Sequence, residues 1–300
     1  MLSLTGSFKR LLIGRILWLG LYLVKAVLAM IFVIPVFLST NATLSSSVFA
    51  RSLVEYWDIS VLVELLVHKG DAIGLFAGYI LAAAVLYLVI MQFVNGGLYF
   101  IVVSGKKLPE ASKEFWQECG GRFWGHLKIT LLMLVVYMML LFSGLFVVNM
   151  FGVFGQNLMG TPALIFMFGK LVIIFLILLA ASIFSDSARA VLSADPDKPF
   201  KHILKIAADF FRPRFTRLIG IYIVTYLPFV IIWLLVEYLA LAITGSPGGL
   251  VGIFLEFVFF QLAAVARTAQ KLWYLFYMGS VFREHHAGRF LPRQAELKFE

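Results

Sequence analysis

Apolar residues in this chain come in long unbroken runs rather than in alternation, and polar residues gather in the gaps. Six runs, residues 11–38, 72–94, 127–151, 162–185, 218–243 and 249–270, reach the roughly 20 residues that a helix needs to cross a hydrocarbon layer of about 30 Å. The pattern predicts an all-α, polytopic integral membrane bundle of six transmembrane helices. The gaps carry stop and start chemistry. Thr161 and Pro162 read as an N-cap followed by a first-turn proline, and "GSPGG" at 245–249 reads as a tight turn between antiparallel neighbours. Pro228, inside the fifth run, removes one backbone donor and should kink its helix rather than end it. The first run is too long for a signal-peptide core and has no small-x-small cleavage site at its end, so it should stay as a helix.

The edges of the runs repeat. "RFWGHLKITLL" begins at Arg122 and "RFTRLIGIYIV" at Arg214, and a weaker copy, "SFKRLLIGRIL", begins at Ser7. Amphipathic stretches that start at Pro109 and Pro199 lead into the two strong copies. At the other edges, "FVNGGLYFIVVSGKK" from Phe93, "FSDSARAVLSADPDK" from Phe184 and "RTAQKLWYLFYMGSVFRE" from Arg267 line up. Each reads as a span that passes a polar joint and continues along the interface. The arrangement expected is a single transmembrane domain over 1–300, built as three tandem hairpins with parallel topology and amphipathic interfacial helices. Its repeats cover about 1–106, 107–197 and 198–283, and 284–300 is a tail.

Charge then orients the bundle. The N-terminal segment, the second and fourth gaps and the C-terminal segment hold nearly all the Lys and Arg. The first, third and fifth gaps hold only Arg51 and Lys69 against Glu55, Asp58, Glu64 and Asp71. Positive residues resist translocation, so both termini and the amphipathic segments are expected in the cytosol. The net charge of +9 follows from the same distribution and needs no nucleic-acid partner. Anionic membrane lipid is the natural counterpart. An apolar share of 62% against 14% charged residues excludes a soluble domain.

On these features, namely the basic stretches at Pro109 and Pro199, the Arg-Phe pairs and "SDSAR" at 185–189, the chain resembles a loose group of bacterial six-span membrane proteins. That group includes the membrane domain attached to some glycerophosphodiester phosphodiesterases, together with stand-alone relatives of unknown function. The resemblance implies the fold and a bacterial cytoplasmic (inner) membrane location. It carries over no reaction, since the phosphodiesterase domain itself has no counterpart here.

Charges within the spans are the candidates for chemistry, because each costs several kcal/mol unless paired or hydrated. Lys170, Glu237 and Glu256 fall at similar depths, so Lys170 can pair with either glutamate, as a structural lock or as a substrate or proton site, the other reading being a lipid-facing side chain that snorkels to the interface. Lys25 has no acidic residue at its depth and either lines a hydrated cavity or reaches a headgroup. Arg122, Phe123, Arg214, Phe215, Lys106, Lys107 and Arg212 are expected at the headgroup interface, guanidinium groups among phosphates and rings beside them. Asp186 and Arg189, three apart on one helix face, read as a local ion pair at that interface.

"REHH" at 283–286 reads as part of a solvated tail, since adjacent histidines diverge on a helix and no partner ligands stand at metal spacing. The single Cys119 reads as a reduced thiol, and "NAT" at Asn41 carries little weight as a glycosylation triplet. "LVEYWDISVLVELLV" from Leu53 reads as an outer segment anchored by its aromatics. No HExxH, GxSxG or phosphate-loop motif is present, and neither a catalytic site, a metal nor a cofactor is expected. The reading reached is a non-enzymatic membrane protein that organises or assembles membrane components, or interacts with anionic lipid or a membrane-protein partner. A transporter of a small or amphipathic substrate is the main rival, and a lipid-modifying membrane enzyme the next.

Overall fold

A computed structural model describes residues 4–44, 70–106, 112–155, 161–244 and 250–290. Among them the regular elements are all helical: α1 (Leu4–Ile13), α2 (Arg15–Leu44), α3 (Gly70–Ser104), α4 (Ser112–Gly121), α5 (Phe123–Gly155), α6 (Thr161–Ala194), α7 (Phe200–Phe211), a 3₁₀ turn (Arg212–Arg214), α8 (Phe215–Thr244) and α9 (Leu250–Phe290). Five segments of the described residues are long and apolar enough to cross a membrane: Arg15–Pro35, Ala77–Ser104, Phe123–Gly144, Phe168–Ala194 and Phe200–Leu239. These are the helices of a membrane-embedded protein. The run expected at 249–270 opens α9, where the side chains of 250–256 lie outside the described residues. Lys107, the segment from Leu53 and the turn at 245–249 lie outside them as well.

Local signals explain where several helices begin and end. The Pro199 carbonyl accepts the His202 and Ile203 N–H groups at 2.8 and 3.1 Å and so opens α7. α7 then buries Ile203, Ala207 and Phe210 on one face and leaves Lys201, Lys205 and Asp209 exposed, as helical periodicity predicts. α8 runs through Pro228 without ending. α3 stops at Gly105, whose φ of 77° turns the chain while its N–H reaches the Ile101 carbonyl at 3.1 Å.

The polar joints expected in α3, α6 and α9 are not breaks; each helix passes through its polar stretch uninterrupted. Small residues there act as contact notches. A methyl at Gly97 would lie 2.6 Å from the Phe115 ring and 2.7 Å from Cys119 Sγ, so α4 sits against α3 at a distance that only glycine permits. Gly279 of α9 is placed likewise, since its Cβ would stand 2.5 Å from the Val102 carbonyl oxygen.

The chain divides into two compact units, the first Met1–Lys9, Gln92–Val224 and Tyr274–Glu300, the second Arg10–Met91 and Thr225–Trp273. In the first, α5 packs along α6, and α6 against α7. Its core gathers Tyr99, Ile129, Ile183, Phe210, Leu218, Tyr274, Met278 and Phe282, with Tyr222 edge-on to Tyr274 at 5.0 Å and Phe210 edge-on to Phe282 at 5.3 Å. In the second, Leu17, Leu21 and Leu28 of α2 are buried, and Tyr22 donates to Gln261 Oε1 at 2.7 Å. Gln270 donates there to Thr225 at 3.3 Å, and the Arg267 guanidinium lies 4.7 Å from the centre of the Tyr226 ring.

Candidate functional site

The first unit holds a buried polar network drawn from α3, α5 and α6. α6 carries "SDSARAVLS", in which small serines and alanines let neighbouring helices approach while Asp186 and Arg189 share one face. Asp186 is 2% exposed and accepts the Tyr99 hydroxyl of α3 at 2.6 Å. Arg189 stands 3.8 Å from the same carboxylate oxygen, donates to Thr130 of α5 at 2.9 Å, and lies 5.9 Å from the Tyr99 ring centre. The Thr130 hydroxyl donates to Gln92 Oε1 at 2.7 Å, and Asn95 donates to the same oxygen at 3.2 Å. An ion pair this buried is tolerable only because most of its polar atoms meet neighbours, the carboxylate at Tyr99 and two of the guanidinium nitrogens at Asp186 and Thr130. Arg189 Nε is left without a hydrogen-bond partner among the described residues.

A second arm of the network runs toward α4. The His126 ring of α5, fully buried, lies 5.6 Å from the Tyr99 ring, with Nε2 3.4 Å from the Ser193 hydroxyl. Its Nδ1 has no hydrogen-bond partner among the described residues. Arg122 donates to the Ser193 carbonyl, near the C-terminal end of α6, and pairs with Glu118 of α4. A guanidinium there meets the negative end of the α6 dipole and satisfies a carbonyl that the helix cannot. Burial pushes the nearby Cys119 thiol up to about 11, with the Glu118 charge adding to the rise and a hydrogen bond from the Gly97 backbone opposing it.

Several expected residues take different places from those expected. Arg122, read as a headgroup ligand, has a side chain only 10% exposed and ties α4 to α6. Asp186 and Arg189 do pair, yet the carboxylate is buried in the core rather than at a wet interface. "REHH" belongs to the closing turns of α9 rather than to a solvated tail, with His286 buried and stacked on Phe282 at 4.3 Å. Arg283 in the same stretch donates to the Val102 carbonyl and, at 3.2 Å, to that of Val103, at the end of α3.

Of the other interface residues, Lys106 is exposed and pairs with Glu114, Arg212 and Phe215 are exposed, and Phe123 is half-buried beside Trp124. Arg214 donates to the Phe210 carbonyl at 3.2 Å and to His285 Nδ1 at 2.9 Å. Within the spans, Lys170 is half-buried in the first unit, while Lys25 and Glu237 are half-buried in the second. The side chain of Glu256 lies outside the described residues. No three His, Cys, Asp or Glu side chains come together as metal ligands among the described residues.

Sequence reasoning missed Tyr99, His126, Thr130 and Gln92. The signal for them was present: isolated hydrogen-bonding side chains inside apolar helices, each needing a partner from another helix. Compared with family models, curated proteins and solved structures, the chain finds no match in any of the three.

Proposed function

We propose that the chain is a non-enzymatic, multi-pass protein of the bacterial cytoplasmic membrane, with six spans in three hairpins and both termini cytosolic. Its work is to organise or assemble membrane components against anionic lipid. The observation that carries this reading is the state of Asp186, 2% exposed and held by both Tyr99 and Arg189. Asp186, Arg189 and Arg122 each bond across to another helix of the first unit, which suits a rigid platform better than a hydrated path. What the protein presents instead is basic and aromatic: exposed Lys113, Lys128, Lys201 and Arg212, with Trp116 and Trp124 at 61% and 68% exposure. Such a surface matches anionic headgroups, the cations facing phosphate and the indoles at headgroup depth. The resemblance to bacterial six-span membrane proteins bears on the fold and the membrane location alone.

The test is native mass spectrometry of the protein taken from its membrane in a lipid-preserving extract. The wild type is expected to retain anionic phospholipid over neutral lipid, and the Lys113→Gln, Lys128→Gln, Lys201→Gln, Arg212→Gln combination to lose that preference. Equal retention by the two proteins would sink the reading. A bound small solute in place of lipid would turn it toward transport.

A further inference from the structure

At the outer face of α7, a cavity of about 400 Å³ opens between that helix and the end of α9, lined by His202, Lys205, Ile206, Asp209, Phe210, His285 and His286. The α7 side chains stand at 202, 205, 206 and 209, one face of a helix at spacings of three and four. Lys205 and Asp209 bring opposite charges to the same space, and neither has an ion pair among the described residues.

The histidine chemistry follows from the neighbours. A guanidinium has only donors, so the 2.9 Å contact from Arg214 makes His285 Nδ1 the acceptor. The ring proton therefore sits on Nε2, which becomes a donor. Arg214 is itself held in place, by its bond to the Phe210 carbonyl and by the Phe210 ring 5.1 Å away. The His286 ring is fixed by stacking on Phe282, at an interplanar angle of 20°. The cavity is thus lined by an ammonium and by two histidines, one bonded to a second cation and one stacked on Phe282, with a carboxylate one helical turn from the ammonium.

We infer that this cavity binds a phosphate ester whose other end donates hydrogen bonds, the phosphate at Lys205 and His285 and the donor end, an ammonium or hydroxyl, at Asp209. A bare phosphate fills only part of the space and meets repulsion from Asp209, whereas a two-ended ester satisfies both charges. The chemistry is that of a phospholipid headgroup or of a soluble phosphate ester. The inference rests on the lipid-surface reading for its setting, but general attraction to an anionic bilayer does not depend on this cavity.

The experiment compares the full-length wild type with Lys205→Gln/His285→Gln and with Asp209→Asn, each first shown to unfold at the wild-type temperature without ligand. Binding of ethanolamine phosphate and of inorganic phosphate is read from thermal stabilisation in detergent. Retention of phosphatidylethanolamine is read by native mass spectrometry after reconstitution in nanodiscs. The wild type is expected to bind the ethanolamine ester at least about tenfold more tightly than phosphate. The double variant should lose both ligands, and Asp209→Asn should lose only the preference.

One phospholipid retained per chain without binding of the soluble ester assigns the site to a headgroup. Binding of the soluble ester without lipid retention assigns it to a free metabolite. Indifference of all three proteins to every probe, or equal binding by wild type and double variant, overturns the inference. It leaves the lipid-surface reading standing if the variant in exposed Lys113, Lys128, Lys201 and Arg212 still loses anionic lipid.

Discussion

The two ends of α3 are both mainly apolar, though the second carries Gln92 and Asn95, and they are opposite in environment. Ile80, Leu81 and Val85 are 66%, 66% and 55% exposed, whereas Tyr99, Ile101 and Val102 are 1%, 2% and 0% exposed. α6 behaves alike, with Leu171 and Ile173 exposed and Ile183, Ala188 and Val191 buried, and so does α9, with Phe257 and Leu262 exposed and Leu275 and Phe282 buried. One end of each helix is solvated by whatever surrounds the protein, and in a membrane that is lipid tail. The other end is solvated by protein. Lipid tails are as apolar as leucine, so burial of apolar surface alone does not drive helices together there. What distinguishes the packed ends is close backbone approach and hydrogen bonding, through Gly97, Gly279, Tyr99, Asp186 and Arg283.

That contrast can be tested hardest at its charged centre. Asp186→Asn keeps an acceptor for Tyr99 but strips the carboxylate from Arg189, whose side chain is 17% exposed. Breaking a buried pair from one side costs about 3–5 kcal/mol. The expected result is a large loss of unfolding free energy in detergent, with partial recovery when Arg189→Gln is added. Strictly additive losses would show that the network does not act as a unit.

Glycine substitutions sharpen the comparison within a single helix, because their signs should differ. Gly97→Ala presses a methyl onto Phe115 and Cys119 and is expected to cost about 1–3 kcal/mol. Gly78, in the exposed end of α3, has nothing within 4 Å of its would-be Cβ. Gly78→Ala should therefore stabilise by up to about 1 kcal/mol through helix propensity. Thermal unfolding of both variants in one detergent gives the answer, and two effects of the same sign would erase the distinction.

The smallest effect concerns reactivity rather than stability. Burial holds the Cys119 thiol neutral, at about 11 against an ordinary 9.0. Alkylation by iodoacetamide at neutral pH should be more than about tenfold slower in the folded protein than in denaturant, since only the thiolate attacks. A folded-state rate equal to the denatured one would mean that α4 does not stay on α3.

Hydropathy was enough to read the long helices, because a continuous apolar run has few other uses. α7 was equally legible, since Pro199 and the spacing of Ile203, Ala207 and Phe210 prescribe an amphipathic helix after a start signal. The packed ends were not legible from hydropathy, because lipid-facing and protein-facing leucines look alike along the chain. The spacing of Asp186 and Arg189 placed them on one face of α6 but said nothing about which helix that face meets. Asn95, Gly96 and Gly97 looked like a joint, since glycine and asparagine break helices in water, yet inside a bundle the same residues make room for a neighbour. Arg122 looked like a phosphate ligand for a related reason: a guanidinium serves a carbonyl at a helix end as readily as it serves a lipid.

The bond from Arg283 to the end of α3 joins residues 180 apart in sequence. A chain made from its N-terminus completes α3 early and then carries its open carbonyl end through the synthesis of every later helix. Only when the far end of α9 arrives are those carbonyls closed. Assembly therefore has a built-in last step, and a nascent protein stopped short of Arg283 would expose an unfinished helix end to whatever inspects membrane proteins for completeness.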